Sequence, residues 1–149
     1  MIILRTVHGS HLYGLVGPTS DHDWYEVHDH VRTRQVVAGG DDTLRISLSH
    51  WLRLCDMGTH QALEAMFAPD DATTVDVFRA FRHAYRANVP NARATYRRTI
   101  AAFNTLEPTP KRRRHAVRLA HDAESLTASG RFDPTAFSRT SLADMALYL

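Results

Sequence analysis

The segment GSHLYGLVGPTSDHD, residues 9–23, follows a β-branched and apolar run from Ile2 to Val7. The run predicts a strand, and the glycines and proline after it predict a turn at its end. Asp21 and Asp23 are one residue apart, so on a second strand their side chains would share a face. Neighbouring carboxylates repel each other unless a cation lies between them, which predicts a site for a hard divalent metal.

The turn has the composition of a phosphate-binding loop. Gly9 has no Cβ, so the backbone can turn sharply and approach a ligand closely. Ser10 adds a hydroxyl and an N–H group that can donate hydrogen bonds to phosphate oxygens. A glycine-serine turn beside paired carboxylates predicts metal-assisted transfer at a phosphorus centre, with Mg²⁺, or Mn²⁺ in its place, bound together with a nucleotide.

Three groups of short motifs lie in order along the chain. They are Gly9-Ser10 with Tyr13-Gly14 and Thr19-Ser20-Asp21-His22-Asp23, then Leu48 to Leu54 with Gly58 and Ala62-Leu63-Glu64, then Lys111, His115 and Arg118-Leu119. This order resembles the G-S…D-x-D nucleotidyltransferases related to DNA polymerase beta. Within that superfamily it is most similar to a branch of predicted nucleotidyltransferases of bacteria and their phages. The resemblance extends from about Ile2 to about Gly130.

The resemblance implies an α+β fold with a small mixed β-sheet of the polymerase-beta-like type and helices packed on it. A change of character after the first half divides the chain into a catalytic core, residues 1–72, and a helical C-terminal region, residues 73–149, that closes the cleft. The implied reaction is Mg²⁺-dependent transfer of a nucleoside monophosphate from a nucleoside triphosphate such as ATP, with release of pyrophosphate. The acceptor stays open among an RNA end, a protein side chain and a small hydroxyl compound.

A third acidic residue is the feature that the sequence lacks. In the superfamily it usually lies on the strand after the D-x-D, but residues 43–47 here contain no acid. Asp42 and Glu64 are the candidate replacements, and Glu64 matches the family better, although a glutamate in solvent would have the same pattern. The gap leaves open two alternatives, which are an inactive nucleotide- or RNA-binding module of the same fold and a toxin-like nucleotidyltransferase that modifies tRNA.

The site residues implied by the resemblance fall into three roles. Asp21 and Asp23 bind the metal. The predicted catalytic residues are Asp21, Asp23 and Glu64. The predicted nucleotide- and phosphate-binding residues are Gly9, Ser10, Ser20, Lys111, His115 and Arg118.

A polar stripe lies on the helix predicted from Lys111 to Ser129. Its members fall within roughly 60° of arc beside the apolar face, where a solvated stripe would lie opposite that face. We therefore expect the stripe to face a cleft, with two cations available to phosphates. The alternative is a charged, solvated helix start. The stripe consists of Lys111, His115, Arg118 and Asp122.

The remaining periodicities predict a sheet followed by helices. Further strands are predicted over residues 24–31, 32–37 and 43–47. The strand over residues 32–37 is expected to be the return partner of the strand over residues 24–31. Helices are predicted from Leu48 to Gly58, after Thr59, over residues 74–85, 91–105 and 111–129, and from Asp133 to Leu149.

Bulk properties exclude several classes of protein. A chain of 149 residues with 44% hydrophobic residues can bury one sizeable core. No apolar run is long enough for a membrane span and no signal peptide precedes the first strand, which predicts a cytoplasmic protein. A net charge of +2 is too small to imply nucleic acid by itself. Cys55 is the only cysteine, so no internal disulfide forms. An apolar edge near the last residues of the sequence suggests a homodimer; it consists of Leu142, Met145, Leu147 and Leu149.

Overall fold

The chain forms a mixed sheet with helices packed against one of its faces, as a computed structural model of residues 1–8, 22–30, 32–38 and 40–136 describes it. The predicted α+β class is therefore confirmed. The strands within these ranges are β1 (Ile2–His8), β2 (Asp23–His28), β3 (Arg34–Ala38) and β4 (Asp41–Ser47). The helices are α1 (Leu48–Asp56), α2 (His60–Met66), α3 (Asp76–Ala84), α4 (Val89–Thr105) and α5 (Pro110–Ser129).

The sheet has the strand order β1-β2-β4-β3. β1 and β2 pair antiparallel, β2 and β4 pair parallel, and β3 and β4 pair antiparallel. The prediction that β3 is the return partner of β2 is therefore wrong. Residues 39 and 40 separate β3 from β4, and this short connection favours a hairpin between those two strands. β4 then takes the place beside β2.

One face of the sheet carries the core. Leu4, Tyr25, Val27 and Ile46 are buried on that face, and α1 and α2 pack against it. Trp51 of α1 is fully buried and donates a hydrogen bond from Nε1 to a carbonyl of α2 at 3.1 Å. Because the indole N–H is satisfied, the large ring can be buried without a polar penalty. The core thus ties both helices to the sheet.

The other face of the sheet carries a charged cluster. Glu26 of β2 is only 4% exposed, although it lies on this face. Arg5 Nε lies 3.3 Å from Glu26 Oε1, and Arg45 Nε donates to Oε2 at 3.1 Å. Hydrogen bonds from His28 and Arg45 hold the pKa of Glu26 below its ordinary value, against the opposing effect of burial. The two arginines therefore cover this carboxylate.

The helix ends follow from local sequence. Ser47 caps α1 by accepting a hydrogen bond from the His50 N–H, and Thr109 caps α5 in the same way from Arg112. Gly130 ends α5 in the left-handed region at φ 72°. Thr59 occupies the predicted N-cap of α2, but its side chain makes no capping hydrogen bond.

The buried side of α3 is occupied by an arginine. Val77 and Phe81 of this helix are 69% and 39% exposed, whereas Arg82 is 2% exposed. The Arg82 guanidinium donates to the carbonyls of Met66 and Ala68 at the end of α2. Helix ends leave carbonyls without partners, and the arginine fork satisfies them. This polar requirement decides which side of α3 is buried.

Several predictions concern residues outside the described ranges. The helix predicted from Asp133 to Leu149 lies outside them, except for its first residues. The Asp133 side chain accepts a hydrogen bond from the Thr135 N–H at 2.8 Å. The predicted apolar edge at Leu142, Met145, Leu147 and Leu149 lies wholly outside them. Among the helices that are described, none has the length and apolarity needed to cross a membrane.

Gly58 and Gly130 form a matched pair for testing the packing of α4. Both have positive φ, but a Cβ on Gly58 would overlap the Ala92 backbone, whereas one on Gly130 would lie 3.3 Å from the Arg86 side chain. We expect Gly130→Ala to lower the free energy of unfolding by about 1–2 kcal/mol, the cost of a left-handed non-glycine residue. Gly58→Ala should lower it by about 3 kcal/mol or more, because backbone cannot move aside.

Urea denaturation of the two variants measures this difference. Equal losses of stability would contradict the close approach of α4 to the end of α1.

Candidate active site

Three polar residues meet at one end of the sheet. Asp23 opens β2, and its direct neighbours across the sheet are His8 on β1 and Asp42 on β4. Residues paired in register point to the same face, so all three side chains lie on the core face. That face is open here, because the apolar packing begins one pair further along the strands.

A cavity of about 230 Å³ lies over these residues. The two carboxylates and the imidazole form its polar wall, and two amide side chains add hydrogen-bonding groups. Gln61 of α2 comes from the helical layer, so the cavity lies between the sheet and that helix. Its lining residues are His8, Asp23, Gln35, Asp42, Leu44 and Gln61.

One oxygen of the Asp42 carboxylate stands out among the polar atoms of the cavity wall. Gln35 Nε2 donates to Asp42 Oδ2. Asp42 Oδ1 is buried and has no hydrogen-bond partner among the residues that the structure describes. A buried carboxylate oxygen without a partner is costly unless something else neutralises it. Together with the Asp23 carboxylate in the next strand, it forms a pair of hard oxygen donors that fits a divalent cation such as Mg²⁺.

A complete metal site is not formed by the described residues alone. Among them, no group of three His, Cys, Asp or Glu side chains is arranged to hold a metal ion. Mg²⁺ commonly takes only one or two carboxylates from a protein and completes its shell with water and substrate phosphates. Asp23 and Asp42 meet that smaller requirement.

His8 forms the third side of the polar wall. Burial lowers the pKa of His8, and the nearby carboxylates of Asp23, Glu64 and Asp42 oppose this effect. The ring packs edge-on against Tyr25, with centroids 5.9 Å apart. A lowered pKa leaves the imidazole neutral at pH 7, so it can both donate and accept a hydrogen bond in the cavity.

Behind the cavity, α2 and α5 are joined by a buried ion pair. Arg118 Nη1 donates to Glu64 Oε1 at 2.6 Å, and both side chains are at most 3% exposed. Arg118 Nη2 also lies 3.2 Å from His115 Nδ1. Because the guanidinium can only donate, His115 accepts at Nδ1 and carries its own proton on Nε2. A pair of this kind is costly to break from one side only.

Two further groups in this network have shifted pKa values. Burial raises the pKa of Asp122 to about 8; Arg118 opposes the shift and Glu64 adds to it. Burial, followed by the positive charges of Arg118 and Lys111, lowers the pKa of His115 to about 4. At neutral pH the network therefore contains a protonated Asp122 and a neutral His115, around the charged pair of Glu64 and Arg118.

The predicted site residues divide into four groups. Asp23 lines the cavity, and Lys111 is exposed in the first turn of α5. Three lie in the buried network, namely Glu64, His115 and Arg118. Four lie outside the described residues, namely Gly9, Ser10, Ser20 and Asp21.

The polar stripe of α5 does not face a cleft as predicted. Arg118 is 3% exposed and Asp122 is 1% exposed, because α5 packs this part of the stripe against α2. Glu64, the other group in the pair, is 1% exposed and is not in solvent. The stripe lies beside the apolar face because it forms a polar contact between helices. Lys111, at the start of the stripe, is its one exposed member, and His115 is half-buried.

Sequence reasoning missed part of the cavity wall. Asp42 was considered as the third acid but ranked below Glu64, although the structure puts Asp42 next to Asp23. Its position one residue before a predicted strand was the available signal. His8 directly precedes the Gly9-Ser10 turn, and this adjacency was its signal. Gln35 and Gln61 carried none, since their proximity depends on strand pairing and on the placement of α2.

No family model matches the sequence, and no curated protein matches it either.

Asp122 gives the buried network a measurable pH dependence. The unfolded chain releases this proton near pH 4, whereas the folded chain retains it up to about pH 8. At this carboxyl the folded state therefore binds more protons in this window, so the free energy of unfolding of wild type relative to Asp122→Asn should fall as pH rises from 4 to 8. Asp122→Asn should gain on the order of 3 kcal/mol over wild type between pH 5 and pH 8.

Urea denaturation at pH 5, 6.5 and 8 tests this, with exposed Glu124→Gln as the matched control. A wild-type protein whose stability relative to Asp122→Asn stays constant across the series would contradict the buried, protonated state of Asp122.

Proposed function

We propose that this protein is a Mg²⁺-dependent nucleotidyltransferase that moves a nucleoside monophosphate from a nucleoside triphosphate to a hydroxyl acceptor. The observation that carries the proposal is the register of Asp23 with Asp42, which brings two carboxylates to one end of the sheet. The segment of residues 9–21, with its Gly-Ser and its Asp21, connects β1 to β2 at this same end. Its sequence is the one that resembles the polymerase-beta superfamily.

The metal ligands in this proposal are Asp21, Asp23 and Asp42. Asp42 replaces Glu64 as the third carboxylate, because its Oδ1 is buried in the cavity wall without a described partner while Glu64 is bonded to Arg118. When bound, Mg²⁺ would supply charge neutralisation on the triphosphate and on the leaving pyrophosphate. The polymerase-beta-like fold is part of the same proposal, supported by the mixed sheet and its helical layer.

The remaining residues bind and orient the substrates. Gly9, Ser10 and Ser20 donate hydrogen bonds to the β and γ phosphates, as the resemblance implies. Lys111, exposed at the start of α5, is available to the same phosphates as a point charge. His8, neutral at pH 7, donates or accepts a hydrogen bond to a hydroxyl in the cavity. These contacts hold the reactants in line.

The reaction balances without a further co-reactant. The acceptor oxygen forms a bond to the α-phosphorus, and the bond between that phosphorus and the bridging oxygen to the β-phosphate breaks. The electron pair leaves with pyrophosphate. The hydroxyl proton passes to a carboxylate in the cavity wall, for which Asp42 is the group that we propose.

Glu64 and Arg118 act through position in this scheme. Their ion pair fixes α5 against α2, and α2 carries Gln61 into the cavity wall. His115 is bonded to Arg118 and stacks on Phe103, with ring centroids 5.8 Å apart. The predicted phosphate-binding role of Arg118 and His115 is therefore replaced, in our proposal, by a positioning role.

Two neighbouring aspartates on β4 provide a test with an internal control. Asp42 faces the cavity, whereas Asp41 is exposed and precedes it on the opposite face. We expect Asp42→Asn to abolish Mg²⁺-dependent binding of nucleoside triphosphates and to lower pyrophosphate release by at least about 100-fold, as loss of a catalytic carboxylate does. Asp41→Asn should leave both unchanged. Calorimetric titration with each of the four triphosphates, with and without Mg²⁺, measures binding.

Asp23→Asn serves as the second variant, and thermal unfolding confirms that each variant is folded. Wild-type protein that binds none of the triphosphates would refute the proposal. Mg²⁺-dependent binding without pyrophosphate release, across RNA, protein and small hydroxyl acceptors, would instead indicate a binding module of the same fold.

A further inference from the structure

Positive charge is concentrated in one part of the chain. From Arg86 to His121 the sequence contains nine Lys and Arg residues and one acidic residue, Glu107. The chain as a whole has 18 basic and 16 acidic residues, so the rest of it is acidic. The small net charge therefore hides a strong separation of sign, which is typical of a surface that binds a polyanion.

These basic residues lie on α4, on α5 and close to their ends. Seven of the nine are exposed, and none of those seven forms an ion pair with a described residue. These cations can therefore bind an external anion without breaking an ion pair, although Arg86 and Arg98 hydrogen-bond to neighbouring groups of the chain. The exposed set is Arg86, Arg93, Arg97, Arg98, Lys111, Arg113 and Arg114.

A groove runs between α4 and α5, which we call the hairpin groove. Its volume is about 530 Å³, and its lining residues are Arg93, Tyr96, Arg97, Ile100, Ala120, Ala123, Glu124, Thr127 and Ala128. The floor is apolar, and two arginines stand along its α4 side. Arg113 lies seven residues before Ala120, so it occupies the same face of α5.

The combination of cations and an apolar floor indicates what kind of polyanion fits the groove. Phosphodiester groups pair with arginine guanidinium groups, and the flat faces of unpaired bases pack on apolar side chains. A duplex keeps its base faces stacked inside, so the floor could contact only a single strand. Glu124 and Thr127 add acceptors on the α5 side, which suit the amino groups of bases.

A chain of contacts connects the hairpin groove with the cavity. Tyr96 lines the groove and packs edge-on against His60, with ring centroids 6.5 Å apart. His60 is the neighbour of Gln61, which lines the cavity. Packed side chains therefore connect the groove with the residues that would transfer the nucleotide.

From these observations we propose that the hairpin groove binds single-stranded nucleic acid, and that this strand is the acceptor of the nucleotide. The second half of the inference rests on the proposed transfer reaction, whereas the binding half does not. The phosphodiester strand is the shared chemistry of RNA and DNA, and the 2′-hydroxyl is what distinguishes them.

Two double variants with the same change of charge test the binding. Arg93→Glu with Arg97→Glu reverses the groove, and Arg32→Glu with Arg53→Glu reverses two exposed arginines elsewhere. Fluorescence anisotropy with labelled 20-nucleotide single-stranded RNA and DNA, without triphosphate or metal, measures affinity at several salt concentrations. We expect the groove double variant to bind at least about tenfold more weakly. The slope of its log binding constant against log salt concentration should be shallower by about two. The control double variant should keep nearly wild-type affinity.

Several outcomes would overturn the inference. These are no binding of either strand by wild type at low salt, an equal loss in both double variants, or equally tight and equally groove-dependent binding of poly-glutamate or anionic vesicles. A preference for RNA over DNA, or the reverse, identifies the source of the strand. Asp23→Asn should bind the strand as wild type does, so failure of the transfer reaction and failure of the groove can be distinguished.

Discussion

The parallel pairing of β2 with β4 is the constraint on which the candidate site depends. The two strands are separated in sequence by β3, and their pairing brings Asp42 into register with Asp23. An antiparallel pairing of β2 with β3 would have left Asp42 outside the sheet centre and the Asp23 carboxylate without a neighbour. The strand order β1-β2-β4-β3 therefore creates the carboxylate pair, and His8 joins it through the antiparallel pairing of β1.

Local sequence predicted most of the elements and few of the contacts between them. Alternation and β-branched residues identified the strands, and the glycines at 58 and 130 ended helices because the backbone there has positive φ. Strand pairing is a long-range choice that such patterns do not contain, so the partner of β3 was predicted wrongly. The choice between Asp42 and Glu64 depended on that same pairing. The segment with the strongest motif, residues 9–21, lies outside the described ranges.

Buried arginines account for the remaining differences between expectation and structure. Periodicity treats arginine as a surface residue, and Arg118 was expected to face a cleft. Arg82 and Arg118 are instead buried with acceptors, which are carbonyls at the end of α2 for Arg82 and the Glu64 carboxylate for Arg118. A buried guanidinium is tolerable only where acceptors converge on it. Those acceptors come from distant parts of the chain, so sequence spacing could not reveal them.

The helix α2 connects these observations, because two of its residues, one turn apart, serve different partners. Gln61 faces the cavity between sheet and helix, while Glu64, one turn later, binds Arg118 of α5. Removing Arg118 would leave the Glu64 carboxylate buried without its counter-charge, which is strongly destabilising. Movement of α5 is therefore resisted by the same helix that forms the cavity wall. A strand held on α4 and α5 would consequently keep a fixed position relative to Asp23 and Asp42.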